Sequence, residues 1–148
     1  MKFSQRTEYA LRALVELGRR HGAGPTSCGE VARVQKIPPR FCEQVFADLR
    51  RADLISSHRG AAGGAKLVRD PADIRVSEVV DVVEGPVVTQ ACLDPFDDEA
   101  RSQAHSAVQE MYLDLQITIR ERLARVTLAD LIKRQEELDQ SSYLVFQI

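Results

Sequence analysis

A glycine-rich stretch near the middle of the chain contains the residue types that bind phosphate groups. It reads Arg59-Gly60-Ala-Ala-Gly63-Gly64-Ala-Lys66, with glycines placed between two basic residues. Glycine allows positive φ angles and a close approach of the backbone to a phosphate, and the basic side chains add attraction. The phosphates could belong to a nucleotide or to the backbone of a nucleic acid.

The nucleotide alternative requires a P-loop, in which a glycine precedes the lysine and a serine or threonine follows it to hold magnesium. Here Ala65 precedes Lys66 and Leu67 follows it. The stretch therefore fits the tip of a β-hairpin that touches a nucleic-acid backbone better than it fits a nucleotide-hydrolysing loop. Neither a Ser/His/Asp arrangement nor paired carboxylates emerge from the sequence, so we expect no enzymatic activity.

A second set of polar side chains has the chemistry needed to recognise DNA bases. Arg40, Glu43 and Gln44 follow a proline pair that is typical of the start of a helix. Arginine recognises guanine and glutamine recognises adenine through paired hydrogen bonds in the major groove. Arg50 and Arg51 lie toward the other end of this helix and suit phosphates. The alternative for each residue is an ordinary charged side chain in solvent.

The charge distribution favours a nucleic-acid partner for the first half of the chain. Residues 1–75 contain 14 basic and 8 acidic residues, a net charge of +6, whereas residues 76–148 contain 6 and 14, a net charge of −8. The acidic half should face away from phosphates. Because no apolar run is long enough to cross a membrane and the first residues do not resemble a signal peptide, we expect a cytoplasmic protein without membrane contact.

The three cysteines have neither the number nor the spacing of a disulfide framework or a zinc ribbon. Cys42 falls at an apolar position of the third predicted helix, which predicts a buried and unreactive thiol. Cys28 falls at the start of the second predicted helix, a position that can lower the pKa of a thiol. No partner thiol lies near Cys28 in the sequence.

Three helices are predicted early in the chain, over residues 5–20, 28–34 and 38–52. Ser27 and Glu30 have the spacing of a capping box, in which each side chain bonds to the backbone of the other residue. A tight turn joins the second helix to the third, which predicts a helix-turn-helix whose third helix can enter the major groove. The apolar residues expected on the inner side of the third helix are Phe41, Val45, Phe46 and Leu49.

The glycine-rich stretch is flanked by two predicted strands, over residues 54–57 and 66–68. Such a hairpin beside a helix-turn-helix is a wing. A short apolar helix over residues 76–83 follows, and then a polar, acidic loop over about 87–98. The wing is therefore predicted to complete a DNA-binding domain before the acidic half of the chain begins.

A long helix is predicted over residues 97–125, with apolar residues at steps of three and four. Because its apolar surface is larger than one small domain can cover, we expect it to pack against the same helix of a second subunit. Thr127 and Asp130 predict the capped start of a last helix over residues 128–139. The predicted organisation is a DNA-binding domain at 1–85, a loop and sensor region at 86–98, and dimerisation and C-terminal helices at 99–148.

Three segments resemble the Rrf2 family of winged helix-turn-helix transcriptional regulators. They are residues 9–14, residues 54–71 and residues 126–131, which follow the order found in the family and extend over nearly the whole chain. The wing of the family has Arg-Gly, two further residues, Gly-Gly, and then an aromatic residue and Leu. Here Ala65 stands in place of the aromatic residue.

The resemblance implies a mainly α fold with a small β-wing, in which a winged helix-turn-helix domain precedes a long dimerisation helix. It also implies a homodimer that binds a roughly palindromic operator in double-stranded DNA. We expect repression rather than activation, because such a dimer blocks polymerase by occupying a promoter. The expected DNA-binding residues are Arg40, Glu43, Gln44, Arg50, Arg51, Ser57, His58, Arg59, Gly60, Gly63, Gly64 and Lys66.

Family members that sense iron, nitric oxide or redox state hold an iron-sulfur cluster with three cysteines between the wing domain and the long helix. That motif is absent here, because only Cys92 is present and the later cysteine positions are Asp98 and either Ala104 or His105. The resemblance leaves open an atypical two-iron cluster held by Cys92, His105 and Glu8, since imidazole can replace thiolate in such clusters. The alternative is that these are ordinary polar residues.

The leading hypothesis is a homodimeric, sequence-specific DNA-binding repressor that receives its signal within residues 87–105. A second hypothesis is a cluster-free scaffold regulator that is controlled by a protein partner or by a small ligand. An enzyme is the third hypothesis, and the lack of catalytic groups disfavours it.

Overall fold

Six α-helices, one short 3-10 helix and one two-stranded sheet make up the part of the chain that the structure describes. The structure is a computed structural model, and it describes residues 3–85 and 107–145. In chain order the main elements are α1 Gln5–Arg19, α2 Cys28–Gln35, α3 Pro39–Arg51, β1 Ile55–His58, β2 Gly64–Leu67, α4 Val76–Glu84, α5 Ala107–Ala124 and α6 Leu128–Val145. The predicted mainly α fold with a small β-wing is confirmed.

The turn between α2 and α3 depends on a residue in the left-handed conformation. Lys36 has φ 51° and ψ 41°, and its backbone N–H donates to the carbonyl oxygens of Ala32 and Arg33. Ile37 then donates its N–H to the Ala32 oxygen at 2.9 Å, and its side chain is buried in the core. Pro39 begins α3, where a missing N–H costs no hydrogen bond. The predicted helix-turn-helix is therefore confirmed.

Only one of the two hydrogen bonds of the capping box predicted for α2 forms. The Ser27 hydroxyl accepts from the Glu30 N–H at 3.1 Å, as expected. The Glu30 carboxylate does not return this bond, and instead pairs with the guanidinium groups of Arg33 at 2.9 Å and Arg20 at 3.4 Å. Two charged partners replace one neutral backbone donor, because charge-assisted hydrogen bonds are the stronger ones.

The wing is an antiparallel hairpin that is tied to the rest of the domain. Strand β1 pairs with β2 so that Ile55 lies opposite Leu67, and the strand ends differ from the prediction by one or two residues. Thr26, which precedes α2, exchanges two backbone hydrogen bonds with Ala65 of β2, at 2.9 and 2.8 Å. The hairpin is thereby joined to the loop that leads into the helix-turn-helix.

The hydrophobic core lies between α1, α2, α3, α4 and the wing. Leu14 of α1, Leu49 of α3, Ile55 of β1 and Val79 of α4 are almost completely buried there. Close packing on the inner side of α3 fixes this helix and the wing relative to each other. The outer side of α3 remains exposed to solvent.

Helix α6 begins at the predicted cap. The Thr127 N–H donates to Asp130 at 2.8 Å, and the Asp130 N–H donates to the Thr127 hydroxyl at 3.1 Å. Leu128 is 1% exposed and belongs to the core that includes α1. The helix continues to Val145, beyond the predicted end near residue 139, and two serine hydroxyls bond to carbonyls one turn earlier in this stretch.

Helix α5 packs against α4, and Arg120 pairs with Asp81 at 3.6 Å. The loop predicted at 87–98 and the first ten residues of the helix predicted at 97–125 lie outside the described residues. The three-part division at residues 85 and 98 stays a prediction. No helix in the described ranges is both long and apolar enough to cross a membrane.

Candidate DNA-binding surface

The outer face of α3 exposes the side chains that the sequence predicted to recognise bases. Arg40, Glu43 and Gln44 are all exposed, whereas the buried side of the helix carries Cys42, Val45, Phe46 and Leu49. Arg40 and Gln44 are one helical turn apart and therefore share a face. Within the described part of the chain, no carboxylate lies within 4.0 Å of the Arg40 guanidinium group.

Phe41 is exposed, although the sequence placed it on the inner side of α3. Its side chain is 46% exposed, and its ring centroid lies 6.0 Å from that of Tyr9 on α1, with the planes tilted by 55°. The prediction was wrong because each residue turns the helix by 100°, which places Phe41 at the edge of the buried stripe rather than within it. An aromatic side chain therefore stands beside Arg40 and Gln44.

The two arginines at the end of α3 differ in their electrostatic partners. Arg51 pairs with the buried carboxylate of Asp48 at 2.8 Å, and Asp48 also pairs with Arg6 of α1. Arg50 is exposed and has no such pair among the described residues. Both arginines were predicted to suit phosphates, but of these two only Arg51 has its charge partly compensated by Asp48.

The wing presents a further group of polar residues to solvent. Arg59 and Lys66 are exposed, and no carboxylate from residues 3–85 or 107–145 lies within 4.0 Å of either. The Ser56 hydroxyl lies 3.3 Å from Nε2 of His58, on the same strand face as Lys66. Ser57 and Gly60 are also exposed, whereas Gly63 and Gly64 are half-buried.

The three predicted wing glycines have different structural roles. Gly60 has φ +114° and open space around it, as expected for a tip that approaches a ligand. A Cβ atom on Gly63 would lie 2.4 Å from the His58 carbonyl oxygen, and one on Gly64 would lie 2.4 Å from the Thr26 carbonyl carbon. Gly63 and Gly64 are therefore needed for close packing within the protein, which the sequence analysis did not foresee.

The arginines on α1 and α2 are engaged within the protein. Glu16 is 4% exposed, and its carboxylate accepts from Arg20 at 2.7 Å and from Gln35 at 3.0 Å. Arg12 donates to the carbonyl oxygen of Gln35, the last residue of α2, and Arg33 pairs with Glu30. The contacts of Glu16 and Arg12 join α1 to α2, whereas the Arg33–Glu30 pair lies within α2. All of them leave less free positive charge on that surface.

Cys28 and Cys42 are neighbours in space. The Cys42 thiol donates to the Cys28 carbonyl oxygen at 3.6 Å. Burial, together with the neighbouring Cys28 thiol, raises the pKa of Cys42 to about 12, which agrees with the predicted unreactive thiol. Burial also raises the pKa of Cys28, although a place at the start of a helix can lower the pKa of a thiol.

Only one of the three proposed cluster ligands lies in the described residues. Glu8 is exposed on α1 and its carboxylate is 3.4 Å from the Arg12 guanidinium group, whereas Cys92 and His105 lie outside the described residues. Between residues 3 and 85 and between 107 and 145, no three His, Cys, Asp or Glu side chains are grouped so that they could hold a metal ion. The described residues alone do not fit an iron-sulfur cluster.

A helix-turn-helix with an exposed polar third helix and a basic hairpin defines the winged-helix class of DNA-binding proteins. The chain belongs to the Rrf2 family, described as iron-dependent transcriptional regulators, whose sequence profile matches residues 3–134. The resemblance predicted from residues 9–14, 54–71 and 126–131 is therefore confirmed.

Characterised relatives agree with this assignment. The chain is 32% identical over 146 residues to the HTH-type transcriptional regulator CymR of Bacillus subtilis (strain 168), with 99% of each chain covered. It is 31% identical over 139 residues to the regulator IscR of Sodalis glossinidius, with 94% of this chain and 83% of the relative covered.

Solved structures are also similar. CymR, the global cysteine regulator of B. subtilis, has a TM-score of 0.74 at 31% identity, covering 90% of this chain and 98% of that chain. IscR of T. potens has a TM-score of 0.76 at 33% identity, covering 93% of this chain and 90% of that chain. The chain is thus a DNA-binding transcriptional regulator of the HTH type, and the prediction that it is not an enzyme is confirmed.

Proposed function

We propose that the chain is a repressor that binds a palindromic operator as a homodimer, through α3 and the wing. The observation that carries the proposal is the free positive charge of Arg40, Arg50, Arg59 and Lys66, set against the internal ion pairs of most other arginines in the same half. A cation without an internal partner can exchange counterions for phosphates without first losing an ion pair.

Within this proposal, different residues supply sequence recognition and general affinity. Arg40, Glu43 and Gln44 contact base edges, because they are exposed on the N-terminal half of α3, the part of a recognition helix that reaches the bases. The residues proposed to contact the DNA backbone are Arg50, Arg51, Ser57, His58, Arg59, Gly60 and Lys66. Gly63 and Gly64 act by shaping the wing.

The proposed dimer uses α5. Met111 and Tyr112 are more than half exposed there, and Leu115 and Ile117 add apolar surface. Burying such side chains is favourable, and a two-fold axis would pair the helix with its own copy. A dimer that occupies a promoter excludes polymerase, which is the basis for proposing repression. Sedimentation analysis at the concentrations used for DNA binding tests the dimer.

We propose a protein partner or a small ligand, rather than an iron-sulfur cluster, as the signal. Support comes from the missing three-cysteine motif and from the pairing of Glu8 with Arg12. Iron and sulfide analysis of protein purified without oxygen tests this point. Stoichiometric iron and sulfide would contradict it and would direct attention to Cys92, His105 and Glu8.

Replacing one arginine of each kind tests the division of roles. Preferred DNA is first selected from a random library by binding to the protein. Arg40→Ala should weaken binding to selected DNA by about 5-fold to 150-fold, since a bidentate base contact is worth about 1–3 kcal/mol, and should weaken binding to random DNA much less. Arg59→Ala should weaken binding to selected and to random DNA alike. The negative slope of log K against log salt should become shallower by about 1.

Arg134→Ala is the matched control, because Arg134 is an exposed arginine on α6 that pairs with Glu137 at 2.9 Å. Its DNA binding should equal that of the unchanged protein by fluorescence anisotropy. Equal losses on selected and random DNA for both Arg40→Ala and Arg59→Ala would contradict the proposed roles. Failure to select any preferred sequence would contradict sequence-specific binding itself.

A further inference from the structure

Phe41 is an exposed aromatic residue that is held in place from one side. Tyr9 packs against it with a centroid distance of 6.0 Å, and the Arg12 guanidinium group lies 6.0 Å from the Tyr9 ring centroid. Arg12 is itself fixed by its hydrogen bond to the Gln35 carbonyl oxygen. The position of the Phe41 ring is therefore set by α1, which is itself tied to the end of α2, while 46% of the residue remains exposed.

The location of Phe41 on α3 limits what the exposed ring can contact. It follows Arg40 directly and is three residues before Gln44, the separation at which helical side chains are neighbours. It also lies in the first turn of α3, the end of a recognition helix that approaches base edges. An apolar ring between two polar, base-recognising side chains requires an apolar partner if it is to be buried in the complex.

The major groove offers one apolar group, the C5 methyl of thymine. We propose that Phe41 contacts a thymine methyl in each half-site and thereby selects thymine over cytosine at that base pair. Tyr9 is then a positioning residue that holds the ring. This inference rests on the proposed binding of DNA through α3.

Thymine-to-deoxyuridine replacement tests the contact directly, since the two bases differ only by this methyl group. In DNA selected from a random library, each thymine is replaced in turn and the affinity is measured by fluorescence anisotropy. The unchanged protein should lose about fourfold at one thymine of a half-site, the effect expected for one buried methyl group. Phe41→Ala should bind DNA with thymine at that position and DNA with deoxyuridine there with equal affinity.

Two further variants make the result specific. Val68→Ala removes another exposed apolar side chain, 51% exposed just after β2, and should keep the full difference between thymine and deoxyuridine. Phe41→Leu keeps apolar contact with Tyr9 but shortens the side chain, so it should lose most of the difference even if Phe41→Ala does not fold. Circular dichroism verifies the fold of each variant.

The outcomes separate this inference from the proposed function. Preferred DNA that shows no sensitive thymine, or the same sensitivity in both folded Phe41 variants as in the unchanged protein, would overturn the inference and leave operator binding intact. Failure to obtain any preferred DNA would overturn the proposed function, and the thymine contact with it.

Discussion

The surface of α3 and the wing differs from the neighbouring surface of α1 and α2 in how its arginines are used. There, Arg20, which directly follows α1, and Arg33 of α2 are paired with carboxylates of the same chain. On α3 and the wing, Arg40, Arg50 and Arg59 are exposed and have no such partner among the described residues. The two surfaces contain the same residue type, and they differ in where the carboxylates lie.

Net charge alone therefore does not locate the proposed DNA-binding surface. The charge of a paired arginine is partly compensated by its carboxylate, whereas the charge of an unpaired arginine remains available to phosphates. Mutations on the two surfaces should therefore change different properties of the protein.

The largest expected effect comes from Gly64, which fixes the wing next to the helix-turn-helix. A Cβ atom there would lie 2.4 Å from the Thr26 carbonyl carbon and 2.7 Å from the Ser27 nitrogen, and neither backbone atom can move freely. Gly64→Ala should lower the free energy of unfolding by about 3 kcal/mol, measured by urea denaturation. It should weaken DNA binding as well, because the wing is displaced.

Gly29→Ala is the matched control for this change. Gly29 lies inside α2 and has nothing within 4 Å of the position a Cβ atom would take. Alanine is the better helix former, so this variant should be as stable as the unchanged protein or more stable by up to about 1 kcal/mol. A Gly64→Ala protein of unchanged stability would show that the wing is not held as described.

The second expected effect concerns the surface of α1 and α2, where arginines are paired with carboxylates. Glu16→Ala leaves Arg20 and Gln35 without their shared acceptor, so the free energy of unfolding should fall by about 2 kcal/mol. Arg50→Ala, at an arginine without a carboxylate partner among the described residues, should change the free energy of unfolding by no more than about 0.5 kcal/mol. It should nevertheless weaken DNA binding. Thermal denaturation and anisotropy of both variants make the comparison.

The proposed difference between the two surfaces would be contradicted if Glu16→Ala mainly impaired DNA binding and Arg50→Ala mainly reduced stability. A destabilised Arg50→Ala protein would mean that Arg50 has an internal role. A stable Glu16→Ala protein with impaired DNA binding would mean that the carboxylate network serves the DNA contact directly.

The smallest expected effect depends on pH and concerns the contact between α4 and the start of α1. Hydrogen bonds from Ser4 and Thr7 hold the pKa of the Glu84 carboxyl below its ordinary value. A carboxyl with a lowered pKa in the folded state contributes stability above its ordinary pKa, and this is lost as the pH falls through the folded value. Glu84→Gln should therefore be less stable than the unchanged protein near neutral pH, and the difference should shrink in acid.

Thermal denaturation between neutral pH and about pH 3, below the ordinary carboxyl pKa of about 4.3, measures this difference. A difference that grows as the pH falls would contradict the assigned hydrogen bonds. The same variant is not expected to change the salt dependence of DNA binding, since Glu84 is not among the residues proposed to contact DNA.

Local signals in the sequence predicted most of the fold. Pro39 at the start of α3 and the reciprocal bonds of Thr127 and Asp130 at the start of α6 depend on a few neighbouring residues, which the sequence displays directly. The exposed positions of Arg40 and Gln44 also followed from the helical period.

Features that depend on distant parts of the chain were not predicted. The pKa of Cys28 is set largely by packing against α3, and Gly64 is required because Thr26 lies against it. The buried carboxylate of Asp48, which joins Arg51 to Arg6, could not be inferred because its partners are brought together only by folding. Phe41 lies at the edge of the apolar face of α3, where a rotation of one residue about the helix axis separates buried from exposed positions.

The pair of backbone hydrogen bonds between Thr26 and Ala65 has a consequence for how DNA sites can be selected. Because these bonds connect the hairpin to the segment that leads into α2, and core packing joins it to α3, the wing and the helix-turn-helix are held in a fixed relative position. In the proposed dimer, any adjustment to operators of different length would then come from the contact between the two subunits. The spacing between half-sites would be a property of the assembled dimer, while the sequence of each half-site would be a property of the single chain.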